Sequence, residues 1–165
     1  MKRFLIADIH FGHEAIIKYE NRPFKNVEEM DENIIKNWNN VVGKHDMIFI
    51  LGDISFHKSD KTLEIVKRLQ GRKILILGNH DTKSVGHYLL MGFEQVSKWP
   101  IIVDDFYIFS HAPVYLSEAM PYANIHGHLH SKRMSGNYVN VGVECINYTP
   151  VNFDDIKARF QPHAK

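Results

Sequence analysis

The chain has 165 residues, 44% hydrophobic and 24% charged, with a formal net charge of +1. That length fits a single domain, 1–165, which buries roughly two-thirds of its extended-state surface and needs no covalent staples. The balanced charge argues against a protein that coats nucleic acid, and one cysteine, Cys145, rules out an intrachain disulfide or a CxxC motif. The N-terminal apolar stretch breaks at Asp8, short of a signal-peptide core, and no run approaches the ~18 apolar residues of a membrane span. The expectation is a cytoplasmic protein with no membrane partner.

In chain order, Phe4 to Ile9 is an apolar run, followed by a helix over 27–42. Asn26 can cap that helix, and Val27, Met30, Ile34, Trp38 and Val41 keep helical spacing on one face. Met47 to Leu51 is the second run. A helix over 60–70 follows, with Ser59 or Asp60 as cap, Leu63, Val66 and Leu69 inward and Gly71 as stop. Ile74 to Leu77 is the third run, and a helix lies near 83–91. Val96 to Val103 adds a strand interrupted at Pro100. Phe106 to Phe109, Ala123 to Ile125 and Tyr138 to Val143 are further strands, and 154–160 is a short terminal helix. Continuous apolar runs alternating with helices predict an α/β fold whose strands are covered on both faces.

The informative feature is what ends the runs. They close in Asp8-Ile9-His10, Gly52-Asp53, Gly78-Asn79-His80-Asp81, Ser110-His111 and His126-Gly127-His128-Leu129-His130. Each end alone is ordinary turn or cap chemistry. Together they deliver Asp, Asn or His to the strand edge where open α/β sheets bind ligands. Asp8 and His10 are two apart, as are His128 and His130, so on an extended backbone each pair points one way. Carboxylate, imidazole and amide donors without thiolate suit Mn, Fe, Zn, Co or Ni rather than Ca. The chain's eleven histidines fit such a site, since imidazole is the commonest metal ligand.

These blocks, in this order, resemble the calcineurin-like metallophosphoesterase superfamily, from Asp8 to His130. The stretch Ile9-His10-Phe11-Gly12-His13, with Asn21-Arg22-Pro23-Phe24 after it, looks like a branch of small phosphoesterases in bacteria and phages. The resemblance implies a four-layer α-β-β-α sandwich around two divalent ions, manganese being the expected metal and Fe, Zn, Ni or Co the alternatives. It implies that Asp8, His10 and His130 hold one ion and Asn79, His111 and His128 the other. Asp53 would bridge them through its two oxygens. His80 would face the phosphate.

Two carboxylates, four neutral imidazoles and one amide leave about two positive charges uncompensated on such a pair, which attracts phosphate. The implied reaction is attack on phosphorus by a metal-bridging hydroxide. His80 acts as acid or hydrogen-bond donor to the leaving oxygen, with Asp81 orienting its imidazole or capping the next helix. His13, Arg22, His57 and Arg133 are candidate substrate contacts, with Lys132 a weaker one. Each has a structural alternative, Arg22-Pro23 being a bend. His126 reads as structural, and His45, His87 and His163 as surface residues. The interval from Asp8 to Asp53 is longer than in the smallest members of the superfamily, and the extra segment is a candidate pocket wall.

The expected substrate is a small nucleotide-like phosphodiester, with a phosphomonoester as the alternative. A non-catalytic scaffold fits less well, because every ligand position is filled. A nuclease on long nucleic acid also fits less well, given the size and charge; no stable nucleic-acid partner is expected.

Overall fold

The computed structural model describes residues 1–160; His163 lies outside them. Strand β1 (Arg3–Ile6), helices α1 (Glu14–Tyr19) and α2 (Val27–Val41), β2 (Met47–Leu51), α3 (Ser59–Arg68), β3 (Arg72–Ile76), α4 (Val85–Leu90) and β4 (Gln95–Ser97) form the first half. Strands β5 (Ile101–Val103), β6 (Tyr107–Phe109), β7 (Ala123–His126) and β8 (Tyr138–Asn140) follow. A 3₁₀ turn (Val143–Cys145), β9 (Val151–Asn152) and α5 (Phe153–Lys157) close the chain. One sheet has the order β4-β3-β2-β1-β9 and the other β5-β6-β7-β8. β1 to β4 are mutually parallel, as are β6 to β8; β9 and β5 run antiparallel at the edges.

The layers follow from which face each side chain takes. On the outer face of the first sheet, Phe4, Ile6, Ile48, Ile50 and Leu75 pack with Met30, Ile34 and Trp38 of α2 and with Ile65 and Val66 of α3. On its inner face, Leu5, Phe49, Leu51, Ile74 and Ile76 meet Tyr107, Phe109, Ile125 and Val139 of the second sheet. Both faces of β1 to β3 are therefore buried, and this is why those strands read as unbroken apolar runs. The fourth layer is the coil segment 112–122, tied down where Val114 N–H donates to Asn124 Oδ1 (2.9 Å), and Tyr138 Oη donates to the Val114 carbonyl (3.0 Å).

Several expectations need correction. The run Val96 to Val103 is two strands in different sheets: Pro100 lies where the chain crosses from β4 to β5. The first run stops pairing as a strand at Ile6, and Tyr138 to Val143 is a strand only to Asn140. In α2, Val41 is 38% exposed, while Ile35 and Val42 are buried. Neither Ser59 nor Asp60 caps α3, whose N-cap is Lys58 without a side-chain bond. The terminal helix starts earlier, at Phe153, with Asn152 Oδ1 accepting the Asp154 N–H. Helix α1 and strand β9 were not foreseen; both are too short to show a period. The Asn26 cap holds, Oδ1 accepting the Glu29 N–H at 2.9 Å.

Trp38 is fully buried and donates its indole N–H to the Gln70 carbonyl (2.9 Å), so it joins the helical layer to the α3–β3 turn. Replacing Trp38 with Ala should cost about 3–5 kcal/mol, read as a lower urea midpoint.

Candidate metal centre

The two sheets join at one seam beside their C-terminal edges. Ala7 N–H donates to the Val141 carbonyl (2.9 Å) and Val143 N–H to the Ala7 carbonyl (3.1 Å). Beyond the strand ends the loops continue to pair. Asp8 N–H donates to Gly52 O, His10 N–H to Asp53 O, and Gly127 N–H to His111 O. The five polar blocks are thereby held as one surface.

The ligand-bearing residues do not converge through extended backbone. Asp8, His10, Asp53, His128 and His130 all have positive φ, between 50° and 66°. A non-glycine residue there is strained by about 1–2 kcal/mol, and such strain collects at functional sites. Consequently His128 and His130 do not share a side. His128 turns to Asn79 and His111, with Nδ1 3.0 Å from Asn79 Oδ1 and 3.1 Å from His111 Nε2. His130 joins Asp8 and His10, their ligand atoms lying within 4.8 Å of one another. Asp8, Asp53 and His111 form a second such group.

Asp53, in the second group, also reaches toward the first. Its Oδ2 is 3.6 Å from His10 Nε2 and 3.5 Å from His111 Nε2, while its Oδ1 accepts the His80 N–H at 2.9 Å. Asp53 thus turns Oδ2 toward ligand nitrogens of both groups. Two glycines make room. A methyl group on Gly127 would stand 2.5 Å from Asp8 Oδ2, and one on Gly52 would collide with the His111 ring.

The donor set fits cations on three observations. His111 Nδ1 donates to the Leu51 carbonyl (2.8 Å), which fixes the ring with Nε2 turned to Asn79 Oδ1 at 2.8 Å; on a neutral ring these two lone pairs would converge on one cation. Donors sharing one ion at roughly 2.1 Å stand about 3 Å apart. Second, Asp8 Oδ1 and both His10 ring nitrogens are buried without a hydrogen-bond partner, a costly arrangement for polar atoms unless they ligate. Third, burial, with the neighbouring Asp53 charge adding to it, pushes the Asp8 carboxyl up to about 8 despite opposing help from His130. Burial, then the Arg22 charge, pushes His10 down to about 2. His10 is thus a neutral imidazole, and Asp8 needs a neighbouring cation to stay ionised at neutral pH.

A model of the calcineurin-like phosphoesterase family matches residues 1–160. The chain belongs to that family. It is a metal-dependent phosphoester hydrolase. Protein MJ1445 of Methanocaldococcus jannaschii, itself uncharacterized, is 39% identical over 163 residues, covering 93% of this chain and 88% of that one. The Gene 66 protein of Mycobacterium phage L5 is 39% identical over 103 residues, covering 55% of this chain and 49% of the phage protein. Among solved structures, AQ665 of Aquifex aeolicus, a protein of unknown function, superimposes with a TM-score of 0.76 at 28% identity, covering 96% of this chain and 98% of that one. The Pseudomonas putida nuclease MPE shares the fold, with a TM-score of 0.54 at 20% identity over 78% of this chain and 60% of that one.

Within this phosphoesterase site, three sequence expectations change. Asp81 does not orient the His80 ring. Its carboxylate accepts the N–H groups of Asp53 (2.7 Å), Gly78 (2.8 Å) and Ile54 (3.2 Å), and so braces the Asp53 loop. Arg22 is buried behind the ligands rather than facing substrate. It donates to the carbonyls of Asp8 (2.8 Å) and Ile9 (2.9 Å) and to Glu144 Oε1 (2.7 Å). Arg133 is exposed and donates to the Cys145 carbonyl at 3.1 Å. His57 bonds Asp31 Oδ2 at 2.7 Å, and His13 stacks on Phe56 with ring centroids 4.0 Å apart. His126 is fully buried, its Nδ1–H donated to the Gly127 carbonyl (2.8 Å). His45 is exposed, and the partly exposed His87 bonds Ser59.

Glu144, Asp31 and Phe56 escaped the sequence reading. Glu144 holds His130 through Nδ1 at 3.2 Å, and it follows the late apolar run, the same signal that marked the other blocks. Asp31 lies on the apolar stripe of α2 and accepts the Gly12 N–H at 3.1 Å; an acid on a buried helix face was the available clue. The extra segment before Asp53 therefore supplies the helical layer and two braces, Arg22 and Asp31.

Two outcomes follow from these contacts. Removing the Arg22 side chain leaves the buried Glu144 with His130 as its one remaining partner and strips two backbone carbonyls of their donor, so Arg22→Ala should cost about 3–5 kcal/mol and lower the chemical-denaturation midpoint. A carboxyl whose folded pKa lies near 8 favours folding below its unfolded pKa, and that contribution is lost as pH rises toward 8. His10, whose folded pKa is depressed, opposes this trend only below its unfolded value of about 6.5. Chelator-stripped protein should lose thermal stability between about pH 6.5 and 8, and added Mn²⁺ should restore it.

Proposed function

We infer that the protein is a phosphodiesterase acting on a small, nucleotide-like diester. The observation that carries this reading is the pair of ligand groups joined through Asp8, with Asp53 Oδ2 within 3.6 Å of both His10 Nε2 and His111 Nε2 and with His80 exposed beside them. Asp8, His10 and His130 would hold one divalent ion. Asn79, His111 and His128 would hold the other, with Asp53 between them. Manganese suits these oxygen and nitrogen donors. The ions supply Lewis acidity and activate water at neutral pH.

The chain's own residues do the rest. Asp53 Oδ1 fixes the backbone of His80, which places the imidazole at the mouth of the centre. There His80 donates a proton or hydrogen bond to the leaving oxygen. The leaving oxygen would depart as an alkoxide unless it is protonated or hydrogen-bonded, and His80 is placed to supply that donor. Arg22 and Glu144 keep Asp8 and His130 in register from behind. Asp81 keeps the Asp53 loop in place. The net charge of +1 favours a short substrate over a stably bound polynucleotide. No helix of the described residues is long and apolar enough to cross a membrane, and we place the reaction in the cytoplasm.

The test strips the protein with a chelator, restores Mn²⁺, and compares bis-p-nitrophenyl phosphate with p-nitrophenyl phosphate. Metal-dependent turnover should favour the diester. His80→Ala should lower kcat by about 10²–10⁴-fold on a dinucleotide diester, whose leaving group is an alkoxide, and by less on bis-p-nitrophenyl phosphate; Asp53→Asn should remove turnover of both. A preference for the monoester would overturn the diesterase reading and leave a monoesterase with the same centre.

A further inference from the structure

One aromatic ring stands in water beside the centre. Phe56 is 42% exposed, and no other phenylalanine among the described residues is exposed. The ring is fixed rather than loose. His13 lies stacked on it, 4.0 Å between centroids and 15° from parallel. His10 and His80 neighbour it at 5.3 and 5.0 Å. A held, wetted aromatic surface next to the leaving-group donor is a stacking platform in waiting.

Phe56 also borders a groove of about 520 Å³, within the range of small-ligand sites (roughly 300–1,000 Å³). Its wall includes His57, Lys58, Ser59, His80 and Lys83 and contains no carboxylate. Two ammonium groups without a lining acid favour an anion, in a chain whose overall charge is nearly balanced. An aromatic face in one groove with two lysines can receive an unpaired nucleotide: the base stacks and a phosphate meets the lysines. Such stacking tolerates any base.

We propose that this groove is a nucleotide subsite. A nucleoside attached to the scissile phosphate stacks on Phe56, and a further phosphate of the same substrate pairs with Lys58 and Lys83. The inference rests on the diesterase reading above and names its substrate class: short, unpaired oligonucleotides, or dinucleotides with a terminal phosphate.

The experiment compares the p-nitrophenyl ester of thymidine 5′-phosphate with methyl p-nitrophenyl phosphate under Mn²⁺. Wild-type protein should prefer the nucleoside ester. Phe56→Ala should reduce that preference, as a ratio of kcat/KM values, by about tenfold, and Phe56→Trp should keep it. The double variant Lys58→Ala/Lys83→Ala should lose about tenfold of the preference for dithymidine phosphate carrying terminal phosphates over the form without them. Equal turnover of both esters by wild-type protein, or an unchanged ratio in Phe56→Ala, overturns the subsite while the diesterase reading stands. If neither ester turns over, the diesterase reading falls and saturation-transfer NMR with thymidine 5′-monophosphate decides the subsite alone. Transfer to the base protons that Phe56→Ala abolishes supports it; no transfer to the wild-type ligand overturns it.

Discussion

The arrangement depends on the seam at Ala7. Its N–H and carbonyl are bonded to Val141 and Val143 across the gap between the sheets, which brings the C-terminal edge of β1 against the segment after β8. The rest of the contact between the sheets is mainly apolar, which is non-directional and tolerates sliding. The hydrogen bonds fix the offset. That offset decides whether Asp8 faces His128, whose N–H donates to Asp8 Oδ2 at 2.8 Å. The site is therefore a product of sheet-to-sheet registration as much as of ligand identity.

Each loop then has to bend sharply to turn its side chain inward, and the bends use left-handed backbone at non-glycine residues. The surroundings over-determine those bends: Asp81 grips three amides, Arg22 grips two carbonyls, and loop-to-loop bonds join neighbouring blocks. The braces carry more of the site's rigidity than the ligands do. The ligands themselves are short of partners, with Asp8 Oδ1 and both nitrogens of His10 left bare. Stability is invested in the frame so that lone pairs can remain free for ions.

Much of this was legible in the sequence because the signals were positional. Apolar runs marked strands buried on two faces, and the polar residues closing them marked the site edge. What escaped has physical reasons. Pro100 looked like an interruption within one strand, since nothing local says that the flanking residues join different sheets. Arg22 looked like a phosphate contact because a guanidinium serves phosphate and carbonyl equally well; only the fold shows that its donors are spent on Asp8, Ile9 and Glu144. Asp81 was read through its neighbour His80, but adjacent side chains on a tight loop diverge. Glu144 was missed although it obeyed the rule used elsewhere, and Phe56 carried no pattern at all.

The brace between Arg22 and Glu144 has a bearing on how the protein is made. Synthesis is vectorial, and the residues that complete the centre are spread from Asp8 to Glu144. A nascent chain that has delivered Asp8, His10 and Asp53 has no His128 to meet Asp8, no second sheet to set the offset, and no acid to neutralise Arg22. The early half can collapse around its helices, yet the ion pocket is assembled only when the late strands arrive. Long sequence separation slows such contacts. It also withholds hydrolytic competence from any nascent chain that has not yet delivered His128, His130 and Glu144.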